Sequence, residues 1–320
     1  MSELRHALVL SAGLGTRLRP LTLVRAKPAI PVAGIPLIRR IMKWAAARGV
    51  AEAVVNLHHL PSTITKVVGD GADIGLHVRY SWEQPLVLGS AGGPRLALPL
   101  IDAPTFLIVN GDTLADVDVD ALLRLHRSTG ALVTLALTAN REFLRYGGLL
   151  VDDSSRVTGR VRPGPLAAGS LHFVGVQVVE ARAFGGLQAG EVADSIGGLY
   201  DRLVAEQPGS VAGFVSNLTF FDIGTVSDYV ATSAALGGSA EPSFGSAPRI
   251  DPTARVRRSI LWEHIDIGAS ASIEDCIVTD GVRVPPGSTY RQSILMDGPA
   301  GVVSVPKVEE QRGALRADPV

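Results

Sequence analysis

The stretch that decides the fold is LSAGLGTRLRPLTLVRAKP, residues 10–28, which begins at the last residue of the apolar segment Ala7–Leu10. It holds two glycines, Gly13 and Gly15, and its cations include Arg17, Arg19 and Lys27. A strand that ends in a glycine turn lets backbone N–H groups approach phosphate oxygens, because glycine has no Cβ and tolerates positive φ. Arginine then offers a planar fork of donors, and lysine offers a compact charge. The stretch is therefore predicted to bind a triphosphate.

Two better-known phosphate-binding loops do not fit this stretch. It lacks the Gly-x4-Gly-Lys-Ser/Thr pattern of a Walker loop. The dinucleotide fingerprint needs a third glycine three residues after Gly15, where this chain has Leu18, and Pro20 prevents a helix from following closely. An NAD-linked enzyme is therefore not favoured.

Around this stretch, the first two-thirds of the chain alternates short β-like runs with amphipathic segments of helical length. Strands rich in valine, leucine and isoleucine, with helices between them, are typical of a parallel sheet covered on both faces. The sequence thus predicts an α/β fold with a Rossmann-like, mainly parallel sheet flanked by helices. The predicted strands are Ala7–Leu10, Ala53–Asn56, His77–Tyr80, Phe106–Val109, Leu132–Thr138, Leu171–Val179, Val211–Phe214 and Phe220–Ile223. The predicted helices are Pro36–Arg48, Ser62–Val68, Ala91–Leu98, Val119–Ser128, Val192–Glu206 and Val226–Leu236.

A second architecture is predicted after a stretch rich in glycine, serine and proline. From Ile250 the chain can be laid out in three units of 17 residues, each with an aliphatic opening and an apolar residue six positions later. This period, with glycine and proline turns between, predicts a short left-handed parallel β-helix of three coils. The predicted organisation is a main domain at 1–237, a linker at 238–249, a β-helix domain at 250–300 and a tail at 301–320.

The composition limits the classes of partner. The formal net charge is −1 over 320 residues, so no broad basic surface indicates nucleic-acid binding. A single cysteine, Cys276, excludes an internal disulfide and fits a reducing compartment. The longest mostly apolar run, Ala131–Ala139, is too short to span a bilayer. A cytoplasmic protein with no nucleic-acid and no membrane partner is predicted.

Two aspartates stand at or within apolar strands. Asp112 follows the run that ends in Asn110-Gly111, and Asp222 interrupts the FFDIGT segment just before Gly224. A carboxylate at a strand end is suited to hold Mg²⁺ against phosphate oxygens, although Asn-Gly-Asp is also a common turn. A metal or an arginine would equally serve as partner of a buried Asp222. Since ligands of parallel sheets bind at the carboxyl ends of strands, Gly13 and Asp112 are predicted to share one crevice.

The order of these motifs resembles the sugar-1-phosphate nucleotidylyltransferases, also called NDP-sugar pyrophosphorylases. The shared pattern is an apolar strand, LxxGxGTRLxPLT, Lys-Pro, a central Gly-Asp and a late DIGT, over roughly residues 7–236. The resemblance implies that Asp112 and Asp222 bind Mg²⁺ and that Arg17 and Lys27 hold phosphates. Arg17, Lys27 and Asp112 are therefore the catalytic candidates.

Further matches to this family imply the remaining binding residues. Glu83, followed by the LGSAG segment at 88–92, resembles the part of the family that lines the base. The nucleotide-binding candidates are Leu10, Ala12, Gly13, Gly15, Thr16, Arg17, Glu83, Gly89, Ser90 and Ala91. The sugar-phosphate candidates are Asn110, Gly147, Arg162 and Gly175.

The sugar-binding region departs from the family pattern. Family members carry Glu-Lys-Pro and later Asn-x-Gly, where this chain has Val-Arg-Pro at 161–163 and Phe-Val-Gly at 173–175. Arg162 retains a positive charge, but the acidic contact and the asparagine are absent. A modified sugar or a cyclitol phosphate, which would tolerate fewer polar contacts, therefore stays open beside a mannose-1-phosphate-like substrate.

The resemblance implies the reaction of an NTP with a sugar 1-phosphate, giving an NDP-sugar and pyrophosphate with Mg²⁺ as cofactor. The VNLHHL segment at 55–60 and the short C-terminal repeat look most similar to mannose-1-phosphate guanylyltransferase relatives, which favours GTP. Uridylyltransferases of N-acetylmuramate 1-phosphate share that segment, so uridylyl or thymidylyl transfer stays open. A non-catalytic, sugar-nucleotide-binding regulatory subunit is the alternative from another class. The β-helix predicts a homo-oligomer, a dimer or higher.

Overall fold

The computed structural model describes residues 4–237 and 248–307, which form two compact units. The first unit contains the chain up to residue 15 together with 25–29 and 36–222. The second contains 16–24, 30–35 and the described residues from 223 onward. Most of the predicted linker and the last part of the predicted tail lie outside the described residues, and the predicted domain boundaries stay a prediction.

The helices and strands are numbered in chain order. The α-helices are α1 (Leu37–Ala46), α2 (Pro61–Val68), α3 (Gly89–Ile101), α4 (Val119–Thr129), α5 (Tyr200–Glu206) and α6 (Val226–Gly237). The strands as far as α6 are β1 (His6–Leu10), β2 (Pro31–Val32), β3 (Ile35–Pro36), β4 (Glu52–Leu57), β5 (His77–Trp82), β6 (Thr105–Asn110), β7 (Thr113–Ala115), β8 (Val133–Ala139), β9 (Gly148–Val151), β10 (Val157–Val161), β11 (Leu171–Glu180), β12 (Val211–Val215) and β13 (Phe220–Asp222). The later strands are β14 (Arg249–Ile250), β15 (Arg255–Arg257), β16 (Ile260–Leu261), β17 (Asp266–Ile267), β18 (Ser272–Glu274), β19 (Ile277–Val278), β20 (Arg283–Val284), β21 (Thr289–Arg291), β22 (Ser293–Gly298) and β23 (Gly301–Pro306). Within the described ranges, every helix is too short or too polar to cross a membrane.

A mixed sheet forms the centre of the first unit. Its strand order is β10-β9-β11-β6-β1-β4-β5, and β8 pairs with both β11 and β12. Strand β1 is parallel to β4 and β6, but β11 runs antiparallel to β6 and β8. This corrects the prediction of a mainly parallel sheet. A parallel return needs a crossover, usually a helix, whereas the chain between β8 and β11 contains the β9–β10 hairpin.

Helix α4 illustrates why the predicted helices form. The Asp118 carboxylate caps its start by accepting a hydrogen bond from the Ala121 N–H at 2.9 Å, and Gly130 closes its end at φ +63°. The buried residues recur at helical spacing and face the sheet. They are Val119, Leu122, Leu123 and His126.

The predicted strands as far as residue 223 are confirmed, each within two residues at either end. Five of the six predicted helices are also present in the described chain. The predicted helix Val192–Glu206 is wrong in its first half, because Ile196 takes an extended ψ of 128° and Gly197 a φ of 88°. The regular helix α5 therefore begins only at Tyr200.

The C-terminal strands of the second unit lie in three separate sheets. In the first, Ile250 pairs with Ile267 and Ile267 with Val284, always in parallel and 17 residues apart. The second and third sheets, β15-β18-β21 and β16-β19-β22, repeat the same offset. Strand β23 then pairs antiparallel with β22, so part of the predicted tail belongs to the third sheet. The pairing thus follows the period found in the sequence.

A buried chain of hydrogen bonds crosses the second unit. The Trp262 indole N–H donates to the Tyr229 hydroxyl at 2.9 Å, and that hydroxyl donates to the Pro31 carbonyl at 2.7 Å. Both aromatic side chains are fully buried. These hydrogen bonds link helix α6 with β2 on one side and with the segment that follows β16 on the other.

Candidate active site

The glycine-containing loop starts where β1 ends, in the middle of the sheet. Leu10 of β1 lies beside Asn110 of β6, and the Gly111 N–H donates to the Leu10 carbonyl at 2.8 Å. A Cβ at Gly111 would lie 2.4 Å from that carbonyl oxygen, so only glycine fits between the two strand ends. Beyond the buried Ala12, Gly13 is exposed and has open space around its Cα. The loop therefore leaves the core at the carboxyl edge of the sheet.

Lys27 and Asp112, both catalytic candidates, form an ion pair although 85 positions separate them. The Lys27 Nζ lies 2.7 Å from the Asp112 Oδ2, and the other carboxylate oxygen accepts a hydrogen bond from the Thr113 hydroxyl at 3.2 Å. The Lys27 side chain is 11% exposed and that of Asp112 is 34% exposed. This pair gives the site a largely buried ammonium group and a carboxylate that solvent can still reach.

Asp222 lies opposite the residue that follows Asp112. Strand β13 pairs antiparallel with β7, which sets Asp222 opposite Thr113, the residue after Asp112. Opposed residues in antiparallel strands have Cα atoms about 4.5–5.5 Å apart. The partner of the Asp222 carboxylate is the Tyr146 hydroxyl, which donates to Oδ2 at 2.8 Å. The sequence predicts a metal or an arginine as the partner of Asp222, and no sequence signal points to the tyrosine.

An aromatic cluster packs against Tyr146. The His172 ring centroid lies 4.7 Å from that of Tyr146, in a tilted contact, and 4.8 Å from that of Phe220, on which it stacks. Burial lowers the pKa of His172, and the nearby Asp222 carboxylate opposes that effect only in part. The imidazole is therefore neutral at pH 7 and acts as a packing group. No motif pointed to it, because the three rings come from separate parts of the sequence.

Asp112 and Asp222 fit a Mg²⁺ ion that is bound together with a nucleotide. Both supply carboxylate oxygens, the ligand type that this ion prefers, and protein sites for it commonly use one or two carboxylates plus substrate phosphates. In the part of the chain that the structure describes, no group of three or more histidine, cysteine, aspartate or glutamate residues could hold a metal. The remaining ligands would therefore have to be phosphate oxygens and water.

Three candidates for base binding, Gly89, Ser90 and Ala91, begin helix α3, and two of them contact the segment before α5. The Ala91 N–H donates to the Ala193 carbonyl at 2.8 Å, and the Ser90 hydroxyl accepts from the Ser195 N–H at 2.8 Å. Gly89 has a φ of +78°, which favours glycine. The side chain of Glu83, predicted to line the base, is fully buried and is held by protein donors instead.

The sugar-phosphate candidates fall into two adjacent pairs. A Cβ at Gly175 (φ +78°) would lie 2.9 Å from the Asn110 Cβ, so these two residues are in close contact. A Cβ at Gly147 would lie 2.6 Å from the carbonyl of Val161, the residue before the exposed Arg162. The candidates therefore lie on or beside neighbouring strands of one sheet.

Thr16 and Arg17 lie in the short 3-10 turn Thr16–Leu18, which belongs to the second unit. Both side chains are exposed, whereas Leu18 is buried. The triphosphate contact expected for Arg17 stays a prediction.

Comparison with known proteins gives one consistent group. The Nucleotidyl transferase family profile matches residues 6–237. The chain is 28% identical over 293 residues to the mannose-1-phosphate guanylyltransferase of Mycobacterium tuberculosis, covering 88% of this chain and 81% of that protein. It is 37% identical over 190 residues to the N-acetylmuramate alpha-1-phosphate uridylyltransferase of Neisseria meningitidis serogroup B, covering 58% and 80%. HddC from Yersinia pseudotuberculosis, solved in complex with GMP-PN, superposes with a TM-score of 0.62 at 22% identity, covering 73% of this chain and 100% of that one, and so shares the fold.

Proposed function

This chain belongs to the nucleotidyl transferase family, and from that premise we propose that it transfers a nucleotidyl group from an NTP to a sugar 1-phosphate. The products are an NDP-sugar and pyrophosphate. The observation that carries the proposal is the Lys27–Asp112 ion pair beside Asp222, at the sheet edge where the glycine loop leaves β1. The relatives that align over most of their own length are named for this reaction.

The chemistry of the reaction suits this site. An oxygen of the sugar phosphate attacks the α-phosphorus of the NTP, the new P–O bond forms, and the bond to the β-phosphate oxygen breaks as pyrophosphate leaves. A phosphate monoester has its second pKa near about 6 and is mostly dianionic at pH 7, so no general base is needed. The obstacle is repulsion between two anions. Positioning and charge stabilisation therefore dominate the acceleration of such transfers.

Each charged residue of the site has a distinct task in this proposal. The Lys27 ammonium group neutralises charge on the α-phosphate or the incoming phosphate, and its ion pair with Asp112 holds it at the strand end. Arg17 would contact the leaving pyrophosphate. Asp112 and Asp222 would hold Mg²⁺, which when bound neutralises phosphate charge. The Tyr146 hydroxyl fixes the orientation of Asp222.

We propose GTP as the nucleotide and a mannose-1-phosphate-like sugar as the acceptor. A relative named as a guanylyltransferase aligns over 293 residues, which supports this choice. The relative with 37% identity is named as a uridylyltransferase of a modified sugar, and this supports UTP with such a sugar as the second candidate. The exposed Arg162 and the absence of an asparagine at position 173 favour an acceptor with fewer polar contacts to the protein.

A matrix of nucleotides and sugar phosphates tests the function. GTP, UTP, dTTP, ATP and CTP are each combined with mannose, glucose and N-acetylmuramate 1-phosphates, with Mg²⁺ or with EDTA, and pyrophosphate is measured. Pyrophosphate should appear only when an NTP, a sugar phosphate and Mg²⁺ are all present. A protein that binds an NDP-sugar but releases no pyrophosphate from any pair would be a regulatory subunit instead.

We also propose that the C-terminal strands form a left-handed parallel β-helix through which the chain self-associates in the cytoplasm. The regular 17-residue offset in three parallel sheets supports the β-helix. Light scattering after size-exclusion chromatography should give a mass of at least two chains. A monomer at micromolar concentration would contradict the self-association.

A further inference from the structure

A buried polar bridge connects the glycine loop after β1 with the start of α3. The Ser11 N–H donates to the Asn56 Oδ1 at 2.6 Å, and the Asn56 Nδ2 donates to the Glu83 Oε1 at 2.7 Å. The second oxygen of Glu83, Oε2, accepts from the Leu88 N–H at 2.7 Å. These contacts are called here the Asn56–Glu83 bridge. They join the carboxyl ends of the neighbouring parallel strands β1, β4 and β5 to the residue before α3.

The bridge is closed to any ligand. Glu83 is 0% exposed, Asn56 is 3% exposed, and the two ends at Ser11 and Leu88 are also buried. Helix α3 closes the remaining space, because a Cβ at Gly93 would lie 2.4 Å from the Glu83 Oε1 and 2.9 Å from the Asn56 Nδ2. The Glu83 carboxylate therefore does not face a nucleotide, and glycine is required at position 93.

Every contact in the bridge has a fixed direction. An ionised carboxylate only accepts hydrogen bonds, and Glu83 meets two donors; an amide both donates and accepts, and Asn56 does one of each. Buried polar groups are costly when they lose their partners. The bridge therefore fixes the backbone at Ser11, at the start of the glycine loop, and at Leu88, directly before helix α3.

We propose that Asn56 and Glu83 are positioning residues for nucleotide binding, which set the glycine loop and the start of α3 at the correct separation. They act through the backbone of Ser11 and Leu88 and do not touch the substrate. This inference rests on the proposed function and replaces the direct base contact that the family resemblance implies for Glu83.

A reciprocal exchange tests the bridge. In Asn56→Asp two carboxylates face each other, and in Glu83→Gln an amide donor faces either the Asn56 amide or the Leu88 N–H. The double variant N56D/E83Q keeps all three hydrogen bonds, because the new glutamine donates to the new aspartate and accepts from Leu88. It also keeps one negative charge and nearly the same volume.

We expect each single variant to raise the KM for the NTP by about tenfold or more, which corresponds to about 1.4 kcal/mol, with a much smaller change in the KM for the sugar phosphate. The double variant should return within about threefold of the wild type. Calorimetric titration with a non-hydrolysable NTP analogue should give the same order of affinities. Glu180→Gln is the matched control, since Glu180 is a half-buried carboxylate that accepts from Thr105 at the opposite end of β6, and its KM for the NTP should be unchanged.

Wild-type affinity for the nucleotide in both single variants would refute the positioning role of the bridge. A double variant that binds as weakly as the singles also overturns it. If the single variants do not fold, the double variant must still be folded with wild-type affinity, and its failure contradicts the proposal. The calorimetric readout does not depend on turnover, so a wild-type protein that binds NTP without releasing pyrophosphate would refute the proposed function and leave the bridge testable.

Discussion

The candidate active site and the C-terminal strands fix their side chains in two different ways. In the site, charged groups meet partners from distant parts of the chain, as Lys27 meets Asp112 and Asp222 meets Tyr146. In the C-terminal sheets, each strand repeats the pairing of the strand 17 residues before it. Single atoms therefore matter in the first region, whereas stability in the second is shared among equivalent pairs.

The difference predicts where single substitutions act. A change in the site should lower turnover and leave unfolding nearly unaffected. A change in the buried contacts of the second unit should lower the free energy of unfolding and leave the turnover of the folded protein nearly unaffected.

The largest effect is expected at Lys27. Lys27→Ala and Asp112→Ala should each lower kcat by about 100-fold or more, because a preorganised charge at the reacting phosphate is lost. Steady-state pyrophosphate release measures this, with Lys66→Ala on the exposed face of α2 as the control. Near-normal turnover in both Lys27 and Asp112 variants would show that the site is assigned wrongly.

A smaller effect is expected at Tyr146. Tyr146→Phe keeps the ring in its tilted contact with His172 but removes the hydrogen bond to Asp222. Groups that orient a metal-ligating carboxylate typically contribute about 10–100-fold to metal affinity or activity, so kcat should fall about tenfold and the Mg²⁺ concentration for half-maximal rate should rise. The thermal midpoint should stay close to that of the wild type. An unchanged Mg²⁺ requirement would show that the Tyr146 hydroxyl does not orient Asp222 for metal binding.

In the second unit, Tyr229→Phe should act on stability. The substitution leaves the Trp262 indole N–H and the Pro31 carbonyl without the hydroxyl that joins them. The free energy of unfolding should fall by about 1–3 kcal/mol, as measured by urea denaturation. Turnover per folded molecule should change less than about twofold. A large loss of turnover with unchanged stability would reverse the contrast between the two regions.

The smallest effect is a pH dependence at His126. Burial lowers the pKa of His126, although the nearby Glu180 carboxylate partly opposes this. Below about pH 6.5 the unfolded chain therefore binds this proton more readily than the folded chain does, and stability falls as the pH falls. His126→Gln should show a smaller loss of stability between pH 7.5 and about pH 5.5 in urea titrations. An equal loss of stability in the wild type and in His126→Gln would show that His126 does not cause this pH dependence.

The sequence predicts these two regions unequally. Alternating apolar runs locate the strands, and the 17-residue period matches the pairing register of the C-terminal sheets, because both are repeating local signals. The antiparallel course of β11 is not predicted, since no local signal marks the direction of a strand that follows a hairpin. The motifs point to Lys27, Asp112 and Asp222 as residue types, and the structure adds that Lys27 and Asp112 form an ion pair.

Other parts of the site have no sequence signal at all. Tyr146, His172 and Phe220 pack together only because three distant segments meet, so no spacing reveals them. Glu83 follows a strand and precedes a glycine segment, a pattern equally compatible with a base contact and with a buried bridge. Only the positions of its donors, Asn56 and the Leu88 N–H, distinguish the two.

The measurement that tests the central claim most directly is ³¹P NMR of the full reaction with GTP, mannose 1-phosphate and Mg²⁺. We expect the α-phosphate signal of GTP and the sugar phosphate signal to decay together, while diphosphate signals of an NDP-sugar and pyrophosphate grow in equal amounts. If GTP is not used, the same result is expected with UTP and a modified sugar 1-phosphate. Release of orthophosphate in place of pyrophosphate, or no reaction with any of these pairs, would contradict nucleotidyl transfer at this site.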